Sequence, residues 1–117
     1  MTVFELAAMN GFTALNLAEP DREITGAYAG DLLSWVMGRA KEGDAWITIM
    51  SNINVAAVAS LADVACVVFS EGVDPDEQLL DAAKAKGINL IKSESPTYET
   101  AVLISGKLYR KLHYQRY

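Results

Sequence analysis

Two short runs constrain the fold more than anything else in the chain: Ala45 to Met50 (Ala-Trp-Ile-Thr-Ile-Met) and Val64 to Phe69 (Val-Ala-Cys-Val-Val-Phe). A strand with one wet face alternates apolar and polar residues, so nearly unbroken β-prone rows belong to strands covered on both faces. Such strands are usually parallel, and a parallel pair needs a crossover element between its members. The intervening segment supplies one, because Asn52 or Asn54 is placed to cap a helix from Val55 to Ala62. That helix is small and apolar nearly all round, which requires that something cover its outer side. It is either deeply packed or at an interface.

The flanking segments extend the same alternation. Thr2 and Glu5 have the spacing of a capping box, and Gly11 stands where the opening helix, Thr2 to Asn10, would stop. Phe12 to Ala18 partly alternates and suits a strand with one covered face, ending at Glu19-Pro20-Asp21. Glu23 to Ala29 reads as a strand or an extended loop. Asp31 is placed to cap a helix running to about Lys41, with Leu32, Leu33, Val36, Met37 and Ala40 on the core face and Gly43 beyond. Asp74-Pro75-Asp76-Glu77 presents a cap, a proline at the first helical position and a capping-box glutamate for a helix to about Lys86, stopped by Gly87. Ile88 to Ile91 is a further short strand. Ser95-Pro96 opens a last helix in which Tyr98, Ala101, Val102, Ser105, Leu108 and Leu112 share one side. The expected fold is α/β, a mostly parallel central sheet with helices on both faces. Residues 1–108 form one domain in this reading, and 109–117 a basic, aromatic tail.

Composition narrows the function classes. Hydrophobic residues make up 51% and charged residues 21% of the 117, enough for an ordinary core. A net charge of -5 repels phosphate backbones and anionic lipid, so neither nucleic acid nor a membrane is an expected partner. The single Cys66 forms no internal disulfide, and with no charged-then-apolar leader and no membrane-length apolar run, the cytoplasm is the expected compartment.

Asp21-Arg22-Glu23-Ile24-Thr25-Gly26, followed by Tyr28, Gly30-Asp31-Leu32-Leu33-Ser34, Glu42-Gly43-Asp44-Ala45-Trp46 and Asn54-Val55-Ala56-Ala57-Val58-Ala59, resembles the DRTGG domain family. The resemblance covers nearly the whole chain. It implies a fold similar to the N-terminal domains of Mur ligases and HPr kinases, and a regulatory, often dimer-forming accessory role. Of the five eponymous residues, Asp21, Arg22, Thr25 and Gly26 are present, and Ala27 replaces the second glycine. A methyl group there would obstruct a close approach or a positive φ. HPr kinases carry phosphoryl transfer in a separate domain with a phosphate loop, which is not expected within these residues: Ser105-Gly106-Lys107-Leu108 lacks both the first glycine and the hydroxyl residue of that loop.

No set of residues spells out catalysis or a metal site. His113 is the only histidine, it lies in the tail, and Cys66 falls in a buried strand, so no triad, metal ligand set or cofactor is expected. Carboxylates at element ends (Asp21, Asp31, Asp44, Asp63, Glu71) are explained by capping, and none is singled out as an acid or a base. Polar turns gather at the carboxyl ends of parallel strands, where such folds bind small molecules. The candidate ligand residues are Arg22, Thr25, Gly26, Tyr28, Gly30, Asp31, Asn52 and Asn54, with turn and cap chemistry as the competing account. Arg22 pairs with Asp21 or Asp31 in one reading and meets an anion in the other. Trp35, at the margin of its helix's apolar stripe, and Val55 and Ala59 on the small-residue helix are candidate interface residues. The end of the chain (Lys107, Tyr109, Arg110, Lys111, His113, Tyr114, Arg116, Tyr117) suits either a helix C-terminus meeting solvent or a contact with an acidic partner or RNA. These features point to a non-catalytic regulatory or interaction module that self-associates or serves a partner kinase or phosphatase. The alternative is a sensor of a nucleotide or similar anion.

Overall fold

The structure, a computed structural model, describes residues 1–108. The elements run α1 (Val3–Ala7), β1 (Phe12–Asn16), β2 (Gly26–Ala29), α2 (Leu33–Arg39), β3 (Asp44–Thr48), α3 (Asn54–Ala62), β4 (Cys66–Phe69), α4 (Glu77–Lys86), β5 (Leu90–Ser93) and α5 (Thr97–Leu108). One sheet holds all five strands in the order β1-β5-β4-β3-β2. From β2 to β5 every neighbouring pair is parallel, and β1 closes the far edge antiparallel to β5.

The two unbroken runs are the centre of this sheet, and successive residues point to opposite faces. Trp46, Val67, Phe69 and Leu90 lie on one face against α2, α3 and α4. Ala45, Ile47, Cys66, Val68 and Ile91 lie on the other against α1 and α5. Both faces are therefore covered, as the strand composition requires. Trp46 is fully buried, and its Nε1–H donates to the Gly30 carbonyl at 2.9 Å, so the largest core side chain carries no unpaired polar atom. Burial of a ring this size contributes roughly 2–3 kcal/mol.

Local chemistry explains most helix ends and corrects several. The Thr2–Glu5 capping box forms, and the hydrogen bonds from Thr2, backbone first, hold the Glu5 carboxyl below its usual value. Asp31 does not cap α2: its carboxylate reaches across to the end of β3, accepting from Thr48 Oγ1 at 2.8 Å and Ile49 N–H at 2.9 Å. The helix starts later, after Leu32. Asp74 and Pro75 likewise precede α4 rather than cap and open it. The Asp76 N–H donates to Ser51 O at 2.9 Å, which keeps this stretch extended until Asp76 becomes the cap residue.

The orientation of α5 is a second correction. Tyr98 is 78% exposed and Val102 51%, whereas Thr100 and Ile104 are buried. Thr100 Oγ1 pairs with the buried Ser93 Oγ at 2.7 Å and donates to Ser95 O at 3.2 Å, so a polar pair fixes which side turns inward. On α2, only Val36 of the expected core face is fully buried, with Leu33 and Ala40 packed beside it and Leu32 and Met37 exposed. Leu112, His113 and the basic, aromatic tail lie outside the described residues.

Candidate functional site

A parallel run of strands has two unlike rims, and the candidate residues divide between them. Arg22, Thr25 and Gly26 sit at the amino rim, beside the starts of β2 and β3. Gly30, Asp31, Asn52 and Asn54 sit at the carboxyl rim, past the ends of the same strands. A four-residue strand is about 13 Å long. Tyr28 lies between the rims, within β2, and the eight residues therefore do not line one site.

The amino rim is a structural joint. Arg22 donates through Nη1 to Asp63 Oδ1 at 2.9 Å and through Nη2 to Asp63 O at 2.6 Å. Asp63 ends α3 in the left-handed conformation, with φ 55°. The partner of Arg22 is thus neither Asp21 nor Asp31. Thr25 N–H donates to Gly43 O at 3.0 Å, and at Gly43, φ 83°, a Cβ would collide with the Thr25 hydroxyl. Beside them Asn89, 2% exposed, accepts from Glu19 N–H and donates to Glu19 O and Ala65 O, tying the segment after β1 to β4. A cleft of about 90 Å³ runs between Arg22, Asp63, Lys86 and Asn89. A wider one of about 410 Å³ opens toward the outer edge of β2, lined by Thr25, Gly26, Ala27, Tyr28, Arg39, Lys41, Glu42 and Asp44.

Ala27 lies in β2 opposite Ala45, outside the positive-φ region, with its methyl exposed. The backbone there accepts any small side chain, so the missing second glycine costs this fold nothing locally.

The carboxyl rim is polar and largely satisfied from within. Asn52 Oδ1 accepts from Asn54 N–H at 2.9 Å, forming a turn before α3. Ser70 Oγ meets Thr97 Oγ1 at 2.6 Å, and the Glu71 carboxylate accepts from Thr97 N–H at 2.7 Å, filling the electropositive start of α5. Glu71 itself adopts φ 61°. Lys92 pairs with Asp74 at 3.0 Å and Glu94 at 3.6 Å, and the Asp74 hydrogen bond, ahead of the other contributions, raises its pKa. Asp31, Glu71, Asp74, Asp76 and Glu94 give this rim a clear acidic excess.

Two candidate interface residues change standing. Val55 is 0% and Ala59 2% exposed, both inside this chain's own core, so the small-residue helix buries its apolar side against the sheet and α2. Its exposed positions are Asn54, Ala57, Ser60 and Leu61. Trp35 is different: it is 53% exposed, and the Arg39 guanidinium stacks over its ring at 3.9 Å.

Cys66 is fully buried, and desolvation pushes its thiol up to about 12, opposed by the positive charge of Arg22. Such a thiol is not a nucleophile near neutral pH. Among the described residues no cluster of three or more His, Cys, Asp or Glu is placed to hold a metal, and no helix is long and apolar enough to cross a membrane. Sequence reasoning overlooked Asn89 and the structural use of Asp63. A lone amide between Gly87 and the apolar Leu90-Ile91 was the available signal for the first; nothing local distinguishes the second.

Comparison with known proteins agrees with this architecture. No curated protein matches the chain. Among solved structures the chain is similar to the CBS and DRTGG domains of the regulatory region of Clostridium perfringens pyrophosphatase, a structure complexed with the activator diadenosine tetraphosphate. The TM-score is 0.70 at 16% identity, covering 88% of this chain and 45% of that one. This chain therefore spans less than half of that regulatory region, and the likeness is one of fold. The model of the DRTGG domain matches residues 27–106, a stretch that begins just after Asp21 to Gly26. With most of its length matched, the chain belongs to the DRTGG domain family.

Proposed function

We propose that this chain is a non-catalytic regulatory module that works by surface contact, associating with a second copy of itself and serving a partner enzyme such as a kinase or phosphatase. The observation that carries this reading is the surface of α2 and the residue before it, where Trp35 and Leu32 are 53% and 58% exposed and Arg39 lies over the indole. A large aromatic held in place by a cation loses little freedom on binding, and Trp and Arg are the residue types that dominate contact energies. The family match and the regulatory setting of the structural neighbour support the same reading. Light scattering from low micromolar to submillimolar concentration tests it. A mass rising from monomer toward dimer is expected, and a strict monomer throughout removes the self-association.

A second reading, a sensor of a nucleotide or similar anion, is favoured by the activator bound to the neighbouring regulatory region. Its site on this chain would be the carboxyl rim around Gly30, Asp31, Asn52 and Asn54. The acidic excess there and the Glu71 carboxylate already seated at α5 oppose a polyphosphate. Calorimetric titration with diadenosine tetraphosphate and simple nucleotides, with and without magnesium, decides the matter. Heat lost on Asn52→Ala would support it, and silence across the panel would end it.

A further inference from the structure

The sheet has two edges, and they are treated differently. At β1 the register shifts between Ala14 and Asn16, the Asn16 side chain is tied to Ile88 O at 2.8 Å, and α1 and α4 pack alongside. A bulge and flanking cover are devices by which proteins keep an edge from recruiting another strand. The other edge, β2, has no bulge and no such side-chain tie, although α5 packs over one face of it. Its sequence is Gly-Ala-Tyr-Ala, without charge or proline, and it stays in unbroken register with β3. It is as long as β4 and β5 in the interior.

Its free hydrogen-bonding groups follow from the ladder. Gly30 N–H donates to Ile47 O at 3.1 Å, so alternation along a parallel strand turns the amides and carbonyls of Ala27 and Ala29 away from β3. Among the described residues nothing pairs with them, and both alanines are exposed. The exposed groups at the two ends of this strand differ in charge. Arg39 and Lys41 are exposed at the amino end in the 410 Å³ cleft beside Glu42, while Asp44, also in its lining, is buried and accepts from Lys41 N–H at 2.7 Å. Asp31, exposed, follows the carboxyl end, with Oδ1 engaged by β3 and the rest of the carboxylate toward solvent.

We propose that β2 is the self-association surface, adding antiparallel to β2 of a second copy so that the two five-stranded sheets become one continuous layer. The two-fold that relates antiparallel strands brings the amino end of each against the carboxyl end of the other. Arg39 and Lys41 of each chain then face Asp31 of its mate, twice over. A parallel or shifted pairing loses that match. Small side chains at positions 27 and 29 let the strands approach, and Arg39 carries the Trp35 surface to the same seam. The outward N–H and C=O groups gain partners without any rearrangement of the monomer.

This proposal rests on the self-association reading, and the experiment separates the two. Molar mass by light scattering is measured against concentration for wild type, Ala29→Pro, Lys41→Glu and Tyr98→Ala, the last on the exposed side of α5. Hydrogen exchange at the Ala27 and Ala29 amides is followed over the same range. Ala29→Pro removes an outward donor that the monomer does not use, and proline is tolerated at such edge positions. The expected result is a wild-type dimer weakened by salt, with dissociation constants raised at least about tenfold by Ala29→Pro and Lys41→Glu and unchanged by Tyr98→Ala. The two amides should become protected as the mass doubles. A dimer whose Ala27 and Ala29 amides exchange independently of concentration, or which only Tyr98→Ala weakens, overturns the β2 interface and leaves self-association standing. A wild-type monomer at every concentration overturns both. Should Ala29→Pro fail to fold, the wild-type exchange data still decide.

Discussion

Arg22 grips Asp63 at two points, the carboxylate and the backbone oxygen, and the residue it grips is the one that ends α3 in the left-handed conformation. A side chain at the start of the domain thereby fixes the turn from α3 into β4. Asp63 O also accepts from Gly43 N–H at 3.0 Å, so the segments before β2, β3 and β4 meet at one peptide.

Arg22→Ala should lower stability by about 1–2 kcal/mol, between an exposed ion pair and a charge-assisted hydrogen bond to backbone. Arg22→Lys should recover only part, because one ammonium cannot reproduce the forked contact. Urea unfolding measures both. An unchanged midpoint for Arg22→Ala would mean that the guanidinium is held for something other than structure.

Gly43→Ala should cost at least about 1–3 kcal/mol from its positive φ alone, with the Thr25 hydroxyl adding to it. Thr25→Ser should do much less harm on its own. In the double variant Gly43→Ala/Thr25→Gly, part of the loss should return, and thermal melts of the three proteins would reveal whether the contact or the dihedral dominates.

Asn89→Leu should destabilise by about 1–3 kcal/mol, since Glu19 N–H, Glu19 O and Ala65 O all lose the buried amide as a partner, Glu19 O keeping only the Arg22 N–H. Its hallmark should be faster hydrogen exchange around residues 17–21 and 65–67. A variant as stable as wild type would contradict the bridging role.

Cys66 should resist thiol reagents at pH 8 in the native protein and react on unfolding. The folded thiol keeps its proton to about 12, whereas the unfolded one releases it near its ordinary value of 9.0. Above the lower value the unfolded chain holds fewer protons than the folded one. Stability should therefore be fully present below about pH 9 and fall with rising pH up to about 12, by roughly 1.4 kcal/mol per unit at most. Cys66→Ala should lose this component of the alkaline slope. Rapid native labelling at pH 8 would refute the burial.

The centre of the fold was legible because unbroken apolar rows admit few environments, and the Thr2–Glu5 box because both partners are local. Residues that act across the chain were less so. Asp31 had the position of a helix cap, yet Thr48 and Ile49 offered their donors on the next strand, and which contact wins depends on tertiary placement. Tyr98 and Val102 looked inward on hydrophobicity, but the Ser93–Thr100 hydroxyl pair set the helix rotation. The candidate ligand residues share residue type and proximity to turns, but strand direction places Thr25 and Asn52 at opposite rims.

The pairing of β1 with β5 carries a consequence for how the chain comes into being. β2 through β5 join neighbours by local crossovers, but Asn16 waits for Ile88, 72 residues later. During synthesis the opening strand has no mate until nearly all of the domain has emerged, and closing so long a loop is a slow, entropically costly event. Until then Phe12, destined for the core, stands in water, a target for chaperones and for premature contacts between nascent chains.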